Sequence, residues 1–142
     1  MERIAVVWLH VLAASVWVGT LFTVSHVVVP ALARGERACL ELVGRARIGS
    51  WAALGLLLVT GLDNLRRARL DSSWLVAKLL LVLVLLAVAA HRDFALVPRV
   101  TAAVARGASP AAAVRGLRVL DHVLLLLAMA VIFLGVGVAR GR

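Results

Sequence analysis

The chain reads as an all-α integral membrane protein, a four-helix bundle, and three observations lead there. Apolar residues make up 63% of its 142 residues, against about 45–50% in an average soluble domain. Mean hydropathy is +1.04. The apolar residues fall into four long runs separated by short basic connections. A soluble fold of this size buries too little of its surface to hide such a composition. Disorder is excluded by the hydrophobicity. A disulfide framework is excluded by the single cysteine, Cys39. One transmembrane domain covering residues 1–142 is expected.

A bilayer core of about 30 Å takes about 20 helical residues, and the spans are expected at about 4–29, 48–65, 74–92 and 117–139. The first, from Ile4, is too long for a signal-peptide core and lacks a small-residue cleavage pattern, so it is read as retained. Pro30 is expected to close it. The second, from Ile48, is open to a backward extension through Cys39–Ala46, and Asp63-Asn64 marks its end. The third, from Trp74, is a nearly unbroken Leu/Val/Ala run that Asp71-Ser72-Ser73 is placed to cap. Pro98 and Gly107–Pro110 break the connection that follows, with a short helix around Val100–Arg106. Ser109-Pro110 has the form of an N-cap with proline at the first helical position, so the fourth helix is expected to start outside the membrane. No internal repeat stands out.

Four spans put both termini on one side. That side carries Arg3, Arg66, Arg67, Arg69, Arg140 and Arg142. The opposite side carries Arg34, Arg37, Arg45, Arg47, Arg92, Arg99, Arg106, Arg115 and Arg118. The positive-inside rule makes the second group cytoplasmic and both termini external, in a cytoplasmic (inner) membrane. The net charge of +9 belongs to these span flanks and to anionic lipid heads. No nucleic-acid partner is expected, because the basic residues form no single patch.

Ionisable groups inside spans are functional candidates by default. At about 1.5 Å per residue, His10 lies level with Lys78 and near Asp63 toward the terminal side. His26, His91 and His122 lie toward the opposite side. Imidazole suits copper, zinc and haem iron, and facing helices of a bundle build such sites. His10, His26 and His122 are therefore the candidate metal ligands. Ser15, Gly19, Thr23 and His26 form a small or polar stripe of the kind that packs inward. His10 and His26 are rotated by roughly 160° and are expected to serve different centres. Arg115, Arg118 and His122 share one face of the fourth helix, with Met129 seven residues after His122.

Plainer readings stand beside these. His91, next to Arg92 and Asp93, reads as a residue of the water interface. His10 fits an aromatic belt beside Trp8. Lys78, the only lysine, is able to snorkel. Asp121, three residues after Arg118, fits a local ion pair. Trp17, Trp51 and Met129 fit packing.

The stretch His10-Val11-Leu12-Ala13-Ala14-Ser15-Val16-Trp17-Val18-Gly19 resembles the first-helix motif of the CopD copper-resistance domain and the HemJ-type protoporphyrinogen oxidases, an LH…W-x-G pattern with Trp seven residues after His. Trp74-Leu75-Val76-Ala77-Lys78-Leu79-Leu80-Leu81-Val82 resembles their third helix, W-L-x-x-K-L-x-L-V. Arg118-Val119-Leu120-Asp121-His122 resembles the HemJ-type R-x-x-N-E, and Gly61 fits a glycine closing helix two. The resemblance implies a four-helix bundle holding haem b, with His10 and Lys78 among its functional positions and Trp17 as part of the motif. It departs from the HemJ pattern at His26, where that family has arginine. It departs again at His122, in place of glutamate, and at Asp121, in place of asparagine. These swaps enrich the site in imidazole and point away from protoporphyrinogen oxidation.

The expected function is a haem b membrane redox protein, an oxidase or electron carrier meeting quinone or a porphyrin-like reductant. His10, His26, His122, Lys78 and Trp17 are its cofactor-binding candidates; Lys78, Arg118 and Asp121 are its catalytic candidates. Copper binding or transport is the alternative. A non-catalytic subunit or assembly factor of a membrane complex is a third, and a homo-oligomer is compatible with each.

Overall fold

In the computed structural model, which describes residues 2–66 and 73–140, the chain is helical with no strand among those residues. Helix α1 (Glu2–Thr23) continues through a π-helical segment at Val24–Val28 into α2 (Val29–Ala33). Helix α3 spans Cys39–Arg66. Helix α4 (Ser73–His91) continues through a second π-segment at Arg92–Leu96 into α5 (Val97–Ala105), and α6 spans Ala111–Arg140. Four continuous helices result, at 3–33, 39–66, 73–105 and 111–138, each long and apolar enough to cross a membrane. The protein is thus an all-α membrane-spanning bundle. Asp71 and Ser72, the expected caps of the third span, lie outside the described residues.

The helices hold 31, 28, 33 and 28 residues, more than the about 20 that a bilayer core needs. Most of the excess lies at one end, the end of Arg34 and Arg106, where every helix runs past its expected limit. Pro30 and Pro98 do not close their helices. A proline ring strikes the carbonyl four residues back and donates no hydrogen bond. Here each proline follows a π-segment, where Val29 N–H bonds to Val24 O and Val97 N–H to Arg92 O, five residues back. That widened turn lets the helix run on through the proline. The helix around Val100 is therefore the end of the third span. Asp63-Asn64 likewise lies inside α3. The backward extension of the second span through Cys39 is present, and α6 starts directly after Ser109-Pro110.

The two halves share a plan that the sequence reading did not register. Each has a π-segment, a Val-Pro step, a short helical extension and a glycine in the left-handed region, then a long returning helix. The glycines are Gly35 at φ +82° and Gly107 at φ +68°, a region that only glycine enters freely. Helix α1 packs mainly on α3, and α4 on α6, so the bundle is two like hairpins laid together.

Two apolar clusters fill the core. The mid-bundle cluster contains Trp17, Leu21, Leu54, Leu85, Leu124 and Ala128. The other, rich in valine, joins Val24, Val28, Leu32, Val43, Val100, Val104 and Leu117 at the end where the helices run long. On α6 the buried residues are Val114, Leu117, Asp121, Leu124 and Ala128, spaced by three and four. Asp121 occupies a core position in that stripe, between the two clusters.

Candidate functional site

Polar groups gather in two layers. In the layer near the chain termini, His10 of α1 meets α3: its Nδ1 lies 2.8 Å from Thr60 Oγ1. The Thr60 hydroxyl spends its proton on Leu56 O at 2.6 Å, so it accepts from His10. The ring therefore carries its proton on Nδ1, and Nε2 keeps its lone pair when the ring is neutral. Lys78 of α4 is close enough to act on His10 by its charge, as their matching depths predict. Both side chains rest on glycines. A Cβ on Gly61 would stand 3.4 Å from His10 Cε1, and one on Gly135 would stand 3.4 Å from Lys78 Nζ.

The second layer has an inner and an outer part. Inside, Arg92 donates to Asp121 through Nε and to Asp93 through Nη1. Trp51 Nε1 of α3 donates to Asp93 Oδ2 at 2.9 Å. The buried Ser25 lies beside Asp121. Asp121 is 0% exposed, Asp93 4% and Arg92 8%. Among the described residues, two atoms of this network, Arg92 Nη2 and Asp121 Oδ2, are buried with no hydrogen-bond partner. The helices that bring these groups together are the two π-bearing ones with α3 and α6, so every span contributes a member and the third contributes two, Arg92 and Asp93.

Outside, His26 of the first π-segment and His122 of α6 stand side by side, ring centroids 6.1 Å apart and planes at 62°. Each sits one residue beyond a member of the inner network, Ser25 and Asp121. His26 Nδ1 donates to Phe22 O at 3.0 Å and His122 Nδ1 to Arg118 O at 2.6 Å. A carbonyl only accepts, so both rings carry the proton on Nδ1, and neither Nε2 has a hydrogen-bond partner among the described residues. The His26 ring is also stacked on Phe22 at 4.2 Å.

Several expectations need correction. The stripe of Ser15, Gly19, Thr23 and His26 is exposed, while Ala13, Trp17, Leu21 and Val24 are the buried face of α1. Small residues suit either a helix contact or a lipid face, and the larger apolar side chains of α1 fill the core instead. Asp121 does not pair with Arg118, whose side chain is exposed; it pairs with Arg92 across the bundle. Arg92 and Asp93 are not at the water interface, since the third helix continues past them and buries both. His91 beside them is exposed, but its expected place at the water interface loses its basis, since its neighbours are buried and the helix runs on to Ala105. Trp17 is packed in the mid-bundle cluster. Met129 and the side chain of Arg118 lie on the exposed face of α6.

The Arg92–Asp93–Trp51 group was missed as a network. Its signal is present in the sequence: Arg92, Asp93 and Asp121 fall on the buried stripes of their helices, at positions that read as apolar elsewhere. The fold and these layers define a class, a four-helix membrane-spanning protein with a buried ionic tie and an outward imidazole pair. No family model, curated protein or solved structure matches the chain.

Proposed function

We propose that this is a membrane metal-binding protein, and that His26 and His122 take a copper ion between their Nε2 atoms. The observation that carries it is the pair itself. Two imidazoles from different helices stand 6.1 Å apart by centroid. With metal–nitrogen bonds of about 2.0 Å, two rings sharing one ion have centroids about 5–6 Å apart. Each ring is held through Nδ1 by a backbone carbonyl, the second-sphere arrangement of metal-bound histidines. Nitrogen sites prefer Cu²⁺ to the other divalent first-row ions. The inner Arg92–Asp93–Asp121 group carries one net negative charge by count, directly behind the pair, which favours a cation there.

Copper titration of the purified protein, followed by electron paramagnetic resonance, tests it. One equivalent should bind with nitrogen coupling. His26→Ala and His122→Ala should each abolish it, and His91→Ala should leave it intact. Retention of the signal in both single variants overturns the site.

A haem b redox reading rests on the other layer. His10 presents a bare Nε2, and Lys78 beside it suits a propionate or an anionic substrate. Haem would supply one-electron chemistry with quinone or a porphyrin-like partner. The donor fits an axial ligand. A partly open cleft beside Arg92, about 20 Å³, has room for about one water; it is too small for the macrocycle and does not adjoin His10. A Soret band in purified protein that His10→Ala removes, and that Lys78→Met alters, would favour this reading over copper. A colourless protein that binds no copper would leave the role of a non-catalytic subunit. For orientation we propose both termini outside an inner membrane; reporter fusions at residues 1 and 142 that both report the cytoplasm would reverse it.

A further inference from the structure

The lipid-facing surface of the bundle stops toward the end where the helices run long. Large apolar side chains are exposed as far as Val27, Ile48, Phe94 and Val119; beyond these, Leu42 is the only one exposed among the described residues. The chain past that belt is therefore a head that faces water on its outside, with the valine-rich cluster as its core. From Val119 back to Ala111 the last helix rises about 12 Å beyond the belt. The headgroup layer takes about 5–8 Å on each side of a bilayer, so the tip of the head stands about 5 Å clear of it.

The charge of this head is one-sided. Its exposed acids, Glu36 and Glu41, are already paired with Arg34 at 2.8 Å and Arg45 at 3.2 Å. Arg37, Arg99, Arg106 and Arg115 are exposed and make no ion pair among the described residues. Two of them share the tip. Arg37 Nη2 lies 3.7 Å from where a Cβ on Gly107 would stand. Arg37 thus reaches from the first hairpin's turn to the second's, and Arg106 is the residue before that glycine.

We infer that the tip around Arg37 and Arg106 docks a carboxylate-rich segment of a water-soluble protein. Guanidinium groups take carboxylates in bidentate pairs, and neighbouring like charges favour a counter-charge between them. Anionic lipid is the other source of negative charge, but its heads lie level with Arg118, at the edge of the belt, and not with the tip. The field of the unpaired arginines steers an acidic partner in. The inference uses none of the histidines and stands apart from the copper reading.

The full-length protein in phosphatidylcholine nanodiscs, titrated with a fluorescent oligoglutamate peptide and read by anisotropy, tests it. The peptide should bind, more weakly as salt rises, and an oligoglutamine peptide should not. Arg37→Gln combined with Arg106→Gln should weaken binding by about tenfold or more, the worth of one charged hydrogen bond. Arg118→Gln, one of the exposed arginines but at the belt, should lose less. No binding of oligoglutamate, equal binding of oligoglutamine, an unaffected tip variant, or an equal loss in Arg118→Gln would each overturn the site. An oligonucleotide of equal charge that displaces the peptide at equal concentration would show a general polyanion surface and overturn the protein assignment.

Discussion

At one end of the bundle a carboxylate with no exposed surface is held between two apolar clusters. At the other, an imidazole and an ammonium group sit partly open at the helix rims, each against a glycine. Asp121 itself has to be satisfied by protein, because none of its surface is exposed. Arg92, Asp93, Trp51 and Ser25 are drawn from three other helices to do so. The His10–Thr60–Lys78 layer needs far less. One hydroxyl orients the ring, and two glycines keep its neighbours clear. A buried ionic group thus specifies how all four helices assemble, whereas a rim group specifies only a local contact.

Breaking the buried tie should have the largest effect. Asp121→Ala leaves Arg92 buried without its main partner and should destabilise the bundle by about 3–5 kcal/mol, read by denaturant unfolding in detergent. Replacing both groups by apolar residues, as Arg92→Met with Asp121→Leu, should recover most of that loss. A double variant as unstable as the single would show that the network acts through more than that pair.

The terminal layer is sensitive to volume rather than charge. A Cβ on Gly137 would stand 2.7 Å from the Trp74 ring, so Gly137→Ala should cost about 1–3 kcal/mol by overpacking. Gly61→Ala, with its Cβ 3.4 Å from His10, should cost less than Gly137→Ala in the same unfolding assay. The reverse order would mean that His10 is held more rigidly than Trp74.

Trp51→Phe removes one donor from Asp93 while keeping the ring near Phe94, 5.3 Å away by centroid. A loss of about 1–3 kcal/mol is expected, because the carboxylate is buried. The smallest effect on stability should come from the outward pair. His26→Ala and His122→Ala change exposed side chains and should stay within about 0.5 kcal/mol, while both lose the copper signal. A large stability loss there would place the pair in the packing of the bundle rather than at a ligand site.

The four spans were legible because lipid solvation demands long apolar helices, and composition alone states that demand. So were the common depth of His10 and Lys78 and that of His26 and His122, since rise per residue needs no tertiary knowledge. Helix lengths at the long end were not legible. Pro30 and Pro98 read as terminators, and only the π-segments before them show how the helix passes through. Nor was the partner of Asp121: along the chain Arg118 is nearest, but Arg92, 29 residues away, is what α6 meets when its apolar stripe turns inward. Pairing between helices depends on which faces meet, and a face is chosen by the packing of the whole bundle. Sequence periodicity names the stripe that is buried; only the assembled helices decide which charge stands opposite it.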